Sequence, residues 1–274
     1  ASAAFAQGRS RAAEPIIDMH FHAMPAAGLG PPPQRECAPV RYFPPVAPAE
    51  VTTARTTECA RPLESPPNDD ALMRRNLQLL EEHNILAVAS GHMPTIRRWQ
   101  AAAPRRFIPA ASQLYPIDSV RNWAQQKSIG ALAEMLFQGM GAAPGDSTAR
   151  PWFALAEELD LPVGLHMGLG PTGVTYTWMP QYRMRLGNPL LLEDVLVRHP
   201  KLRLYVMHAG WPMIDQMIGL MYAHPQVYVD TGVISWFLPR KEFYRYLERL
   251  VDAGFGKRIM FGSDQMVWPD AIPL

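Results

Sequence analysis

The sequence predicts an α/β chain folded as a (β/α)8 barrel of the TIM type, and three observations predict it. Eight short apolar, β-branched runs recur along the chain, and stretches with helical spacing of apolar residues separate most of them. Several of those stretches begin at Pro or Asn and end at Gly or before Pro, which is how helices are punctuated. The 274 residues, 48% hydrophobic, suffice for one barrel-sized core. Strand–helix alternation implies parallel strands with crossover helices, and eight strands suit closure. A doubly wound open sheet fits less well, because no Gly-rich phosphate turn follows the first strand.

Residues 1–14 read as a flexible leader. Ala4-Phe5-Ala6 before Gln7 resembles the small-residue end of a secretory signal, which predicts export to the periplasm or beyond. "PIIDMHFH" (15–22) is the first strand, and the barrel is expected to run over 15–274. Residues 23–69 form a Pro-rich insert holding 11 of the 28 prolines and no helical periodicity, so a long loop is expected. Cys37 and Cys59, both in that insert, would be bridged in an oxidising compartment. "DDALMRRNLQLLEEHN" (69–84) follows as a helix with Asp as its expected N-cap.

The second strand is "ILAVASG" (85–91), with a weaker helix at 94–103; the third is "RFIPAASQL" (106–114), before the helix "PIDSVRNWAQQKS" (116–128). "IGALAEML" (129–136) is the fourth strand, followed by the helix "ARPWFALAEELD" (149–160); "LPVGLHMG" (161–168) is the fifth, followed by "NPLLLEDVLVRHP" (188–200). "LRLYVMH" (202–208) is the sixth, with "PMIDQMIGLMYAHP" (212–225) behind it, where methionines at 213, 217 and 221 suit a core face. "QVYVDTGV" (226–233), the helix "PRKEFYRYLERLVDAGFG" (239–256) and "RIMFGSD" (258–264) complete the pattern. Only ten residues follow Asp264, too few for an eighth helix, so the outer layer is expected to be incomplete there or the chain truncated.

Net charge is +1, with the 26 Lys and Arg scattered, which argues against nucleic acid or an anionic membrane as the main partner. No apolar run approaches a bilayer-spanning length. A small-molecule substrate is the expected partner, with a homo-oligomer left open.

The chemistry sits at the strand ends. His20 and His22 end the first strand, Glu134 lies on the fourth, His166 ends the fifth, His208 the sixth and Asp264 the eighth. Taken singly, each has an ordinary reading as a satisfied core imidazole, a surface carboxylate or a turn cap. In a barrel, however, the C-terminal strand ends converge on one mouth. Buried together, these groups need a cation among them. Asp18 is expected to lie deeper on the face of His20 and His22. It either holds a ligand imidazole or bonds to backbone amides.

The order Asp-x-His-x-His on strand one, His on five, His on six and Asp on eight resembles the amidohydrolase superfamily. Its amidohydrolase-related branch, which also holds metal-dependent decarboxylases and hydratases, is the nearest likeness, and "VMHAGWP" and "FGSDQ" look like that branch too. The resemblance implies His20, His22, His166 and Asp264 as metal ligands, with His208 a ligand or a substrate-polarising residue. One departure stands out: many relatives carry a carboxylated lysine on strand four, where this chain offers Glu134.

The expected function is a divalent-metal-dependent hydrolase, with Zn2+ or Mn2+, one ion or two, activating water to cleave an amide, ester or lactone bond. Asp264 would move the proton, with His208 beside it. A one-metal decarboxylase or hydratase on the same barrel is the alternative, and a non-catalytic metal-binding protein the reading from another class. For substrate the long loop after strand five supplies Arg183, Arg185 and Trp178, with Tyr176 beside them, and His92 follows strand two. Trp211 and Trp236 either line a pocket or pack the rim. His83, His199 and His224, near helix ends, are expected to be solvated.

Overall fold

The computed structural model describes residues 14–51, 59 and 61–274. The predicted leader lies outside the described residues except for Glu14. Eight parallel strands form a nearly closed barrel with helices between them. They are Ile16–Ala23, Ile85–Gly91, Phe107–Ala111, Ala131–Met135, Val163–His166, Leu204–Met207, Val227–Asp230 and Ile259–Met260, each paired with its sequence neighbour. They are called the first to eighth strands below. Residues Val88, Ala110, Ala131, Ala133, Tyr205 and Met207 fill the barrel interior. Leu72, Ile96, Trp99, Phe153 and Leu155 belong to the larger core between strands and helices.

Two bulges decide which side chains face inward. Between Asp18 and Phe21 the first strand gains one residue on the second, the register stepping from Asp18↔Ala87 to Phe21↔Ala89. Strict alternation is therefore broken: Met19 packs into the barrel interior and Phe21 into the outer core. The fourth strand has the same irregularity between Leu132 and Met135, with Ala133 inside and Met135 outside. Bulges of this kind re-aim a side chain, and here the re-aimed residues include His20 and Glu134.

The eighth strand is much shorter than the predicted 258–264, because side chains replace its ladder with the first strand. Met19 N–H donates to Phe261 O at 2.9 Å. Beyond it, Asp18 Oδ1 accepts from Ser263 N–H at 2.9 Å and from His20 N–H at 3.0 Å. Asp264 N–H then donates to His20 O at 2.6 Å. The Gln265 amide bonds both faces of the His22 peptide, donating to its carbonyl at 2.7 Å and accepting from its N–H at 3.0 Å.

The helices are α1 Asp69–Glu82, α2 Met93–Ala102, α3 Ile117–Gln125, α4 Arg150–Glu158, α5 Glu193–Arg198, α6 Ile214–Ala223, α7 Ile234–Phe237 and α8 Arg240–Asp252. Asn68, not Asp69, caps α1, accepting from Ala71 N–H at 2.9 Å, while Asp69 accepts from Ala26 N–H of the insert. The helix expected over 188–200 divides into a 3-10 turn, Pro189–Leu192, and the short α5; the Asn188 side chain caps the turn at Leu190 N–H. After the eighth strand comes a 3-10 turn, Pro269–Ala271, held to α1 by an Arg75–Asp270 ion pair. Val267, Trp268 and Ile272 are buried there, whereas Ile16 and Ile17 at the other end of the seam stay about half exposed.

The insert is not wholly irregular: Arg35–Glu36 and Leu63–Glu64 pair antiparallel. Cys37 and Cys59 are bridged, their Cα atoms 5.8 Å apart. Val40 N–H bonds Phe237 O at 2.8 Å, and Trp268 Nε1–H bonds Gln34 O at 3.1 Å, fastening the insert beside α7 and the turn after the eighth strand.

Candidate metal centre

Six side chains from five strands converge at the C-terminal mouth. On one side, His22 Nε2 lies 3.0 Å from Asp264 Oδ1 and 3.4 Å from Glu134 Oε2. His20 Nε2 lies 3.6 and 3.8 Å from the same two oxygens. On the other side, His208 Nε2 is 3.0 Å from His166 Nδ1 and 3.5 Å from Glu134 Oε1, and His166 Nδ1 also bonds Glu134 Oε1. Glu134 thus turns one oxygen to each group of imidazoles. His22 and Glu134 keep 11% and 16% side-chain exposure, which opens the group to the mouth, while His20 is wholly buried.

The local backbone is unusual here. His208 and Ala209 take positive φ of 58° and 48°, and Asp264 one of 49°. Such conformations cost energy in non-glycine residues and cluster at functional sites. They turn His208 and Asp264 into the mouth from the ends of their strands.

The charges show what the site lacks in protein cations. Burial alone would raise the Glu134 carboxyl, but His166, His20 and His208 outweigh it and hold it well below the ordinary glutamate value. For Asp264 the burial cost is likewise outweighed, chiefly by His20, and its value is lowered. Burial pulls His20 and His208 down, yet the carboxylates win in both: Asp264 and Asp230 raise His20 well above 6.5, and the Glu134 bond raises His208. His166 is lowered, by burial first and then by His208. Two buried carboxylates therefore draw protons onto imidazoles, and a divalent cation meets the same demand with the imidazoles neutral. Nε2 of His20, buried and aimed at both carboxylates, has no hydrogen-bond partner among the described residues. Three overlapping groups have donor atoms close enough to share an ion: His20, His22 and Glu134; His20, His208 and Asp264; Glu134, His166 and His208. Imidazole nitrogens together with carboxylate oxygens make a donor set that suits a divalent metal ion.

Asp18 does not face a ring. Its carboxylate bonds the backbone amides of His20 and Ser263, and burial pushes its pKa up to about 6. The carboxylate that does face His20 is Asp230, at the end of the seventh strand, with Oδ2 3.2 Å from Nδ1. Asp230 lies within the predicted strand "QVYVDTGV", and its position at the strand end is the signal it shares with the other site residues. Nδ1 of His22 has Ser90 Oγ at 3.4 Å, and Nδ1 of His208 bonds Gly232 O at 3.0 Å.

The residues expected to bind substrate are not drawn into this cluster. Arg183 Nη1 donates to Pro180 O and Tyr182 O, at 2.8 and 2.7 Å, and so ties its own loop together. Arg185 is exposed, with no ion pair among the described residues. Trp178 is 58% exposed, and Tyr176 is similarly open. His92 bonds Thr95 Oγ1 at 2.9 Å at the start of α2. Trp236 is core, its indole bonded to Ser263 O, and Trp211 bonds Glu242. His199, expected to be solvated, instead bonds Glu157 at 2.9 Å.

The sequence profile described as amidohydrolase matches residues 17–274. An uncharacterized TIM-barrel protein from Bordetella bronchiseptica superposes with a TM-score of 0.58 at 14% identity, over 95% of this chain and 90% of that one. A probable 2-pyrone-4,6-dicarboxylic acid hydrolase from Acinetobacter baumannii, with citric acid bound, gives 0.56 at 14% identity, over 95% and 90%. A 2,6-dihydroxybenzoate decarboxylase complexed with 2,6-dihydroxybenzoate gives 0.51 at 12% identity, over 95% and 92%. At such identities the likeness is one of fold. No curated protein matches the sequence significantly.

Proposed function

The chain belongs to the amidohydrolase family, and from that membership we propose that it is a divalent-metal-dependent hydrolase of small molecules, cleaving an amide, ester or lactone bond. The observation that carries the reading is the Glu134 carboxylate, with Oε2 toward His20 and His22 and Oε1 toward His166 and His208. His20, His22, Glu134 and Asp264 would hold one ion, and Glu134, His166 and His208 a second, Zn2+ by preference and Mn2+ otherwise. A divalent ion so held lowers the pKa of a water molecule from about 15.7 toward about 7 and polarises a carbonyl oxygen.

The protein's own part falls to three groups. Asp264, held ionised by His20 and its neighbours, accepts the proton of the attacking water and passes it to the leaving group. His208, its Nδ1 proton held by Gly232 O, presents Nε2 to the cavity. The exposed Arg185 is the better of the two loop arginines for a substrate carboxylate, since Arg183 is spent on its own loop. The Cys37–Cys59 bridge supports an oxidising compartment, the periplasm or the exterior. No helix among the described residues is long and apolar enough to cross a membrane.

A second reading rests on the contact between His208 Nε2 and His166 Nδ1 at 3.0 Å, in which the two rings satisfy each other. With one ion, His208 is free to act on substrate, and the chemistry is that of a decarboxylase or hydratase. The test is a panel of lactones, esters, amides and aromatic carboxylates in 18O-water, with metal-reconstituted protein. Incorporation of 18O into a new carboxylate is expected; CO2 release without it overturns the hydrolase reading in favour of the lyase.

A further inference from the structure

We propose that Asp230 is the positioning residue that makes His20 a ligand: its carboxylate holds the Nδ1 proton and so turns the Nε2 lone pair toward Glu134 and Asp264. The proposal rests on the metal reading above and adds to it a residue outside the ligand set.

Asp230 is wholly buried at the end of the seventh strand. Its Oδ1 accepts from His208 N–H at 3.0 Å and from Gly232 N–H at 2.8 Å. His20 Nδ1 lies 3.4 Å from Oδ1, within hydrogen-bond reach, and 3.2 Å from Oδ2, which has no hydrogen-bond donor among the described residues. A lone pair on Nδ1 would oppose the carboxylate, so the proton belongs there and Nε2 is left to donate electrons. The ring has little room to turn away. A Cβ placed on Gly232 would sit 2.4 Å from Nδ1, and one on Gly262 2.7 Å from the His20 Cβ, so glycine backbone lies close against the ring at Nδ1 and against the base of the side chain.

The same carboxylate also fixes the backbone of His208 where φ is 58°. One buried anion thus sets a ring from one imidazole group and the main chain of a residue in the other. At Nδ1, His22 has Ser90 Oγ at 3.4 Å and His208 has Gly232 O, both neutral, while His166 turns Nδ1 to the ligand carboxylate Glu134; only His20 has at Nδ1 a carboxylate from outside the ligand set. Carboxylates that hold a ligand imidazole in this way fix its tautomer and raise its basicity. Asp230 touches no reacting atom.

The test compares wild type with Asp230→Asn. The amide keeps an oxygen for the two backbone N–H groups but presents NH2 to Nδ1, which favours the proton on Nε2. Zinc affinity is measured by competition with a chromophoric chelator, folding of the metal-free proteins by near-UV circular dichroism, and the His20 tautomer by long-range 1H–15N correlation in zinc-loaded, histidine-labelled wild type. The expected results are a folded variant, zinc binding weakened about 10- to 100-fold, and a wild-type His20 with its proton on Nδ1. A variant that binds zinc as tightly as wild type overturns the role of Asp230 while the metal reading stands. A wild-type His20 protonated on Nε2 overturns it without any variant, which covers the case of Asp230→Asn failing to fold. Wild type that takes up no zinc overturns both readings together.

Discussion

Gly232→Ala is the substitution whose effect can be worked most directly from the geometry. The backbone at Gly232 is not in the left-handed region, so alanine meets no conformational penalty there. Its methyl would lie 2.4 Å from His20 Nδ1, 2.9 Å from Cγ and 3.1 Å from Asp230 Oδ1. Ordinary contacts are about 3.5 Å or longer, so the imidazole must withdraw by roughly 1 Å. Overpacking of this kind costs about 1–3 kcal/mol. For a chain of this size that lowers Tm by roughly 2–12 °C. Alanine also stabilises slightly by restricting the unfolded chain, and a double-mutant cycle removes this effect. In a His20→Ala background the methyl has no ring to meet, so the two substitutions should show a coupling of about 1–3 kcal/mol in urea unfolding of the metal-free protein. Additivity within about 0.5 kcal/mol would refute the claim that the His20 ring is seated against the Gly232 backbone.

The insert supplies a second prediction. Cys37 and Cys59 are 22 residues apart, and closing such a loop stabilises by about 3 kcal/mol in the chain-entropy description. Denatured, unreduced protein should yield no free thiol, and reduction should lower the urea midpoint; an unchanged midpoint would place the insert outside the cooperative unit. Glu134→Gln should reduce zinc stoichiometry in protein reconstituted with excess metal, whereas a stoichiometry of one in both proteins would sink the two-ion arrangement and leave the first ion standing. Glu157 accepts from His199 Nδ1 and Lys201 N–H, both at 2.9 Å, and its pKa is lowered, first by the His199 bond. The stability this contributes is present above the unfolded value, about 4.3, and is lost as pH falls through the lower folded value. Glu157→Gln should therefore be less stable than wild type near neutrality, with the gap closing on acidification.

The barrel and most of its mouth were legible because strand periodicity and helix punctuation are local signals. His20, His22, Glu134 and His166 stand at or near strand ends, with His208 and Asp264 just past theirs, and parallel strands in sequence order bring such ends together. Less legible was whatever depends on register. Plain alternation puts Asp18 on the face of His20, but the bulge before Phe21 breaks that pattern and leaves Asp18 bonding the seam between first and eighth strands. By the same alternation Glu134 would share a face with Leu132, which packs outward, and only the irregularity between Leu132 and Met135 turns it into the mouth. The length of the eighth strand was equally hidden, since Gln265 imitates a ladder with its side-chain amide. Arg183 shows the limit for loops: a long cationic side chain in a Gly-rich segment bonds the nearest carbonyls, and composition does not say which.

The proposed function stands on His20, His22 and Asp264 sharing a cation with Glu134. Anomalous diffraction at the zinc edge, from crystals of protein reconstituted with zinc, tests it most directly. A peak is expected between His20 Nε2, His22 Nε2 and an oxygen of Asp264, with metal–nitrogen distances of about 2.0–2.1 Å. Absence of a peak there, with the barrel and its strand ends otherwise intact, would contradict it.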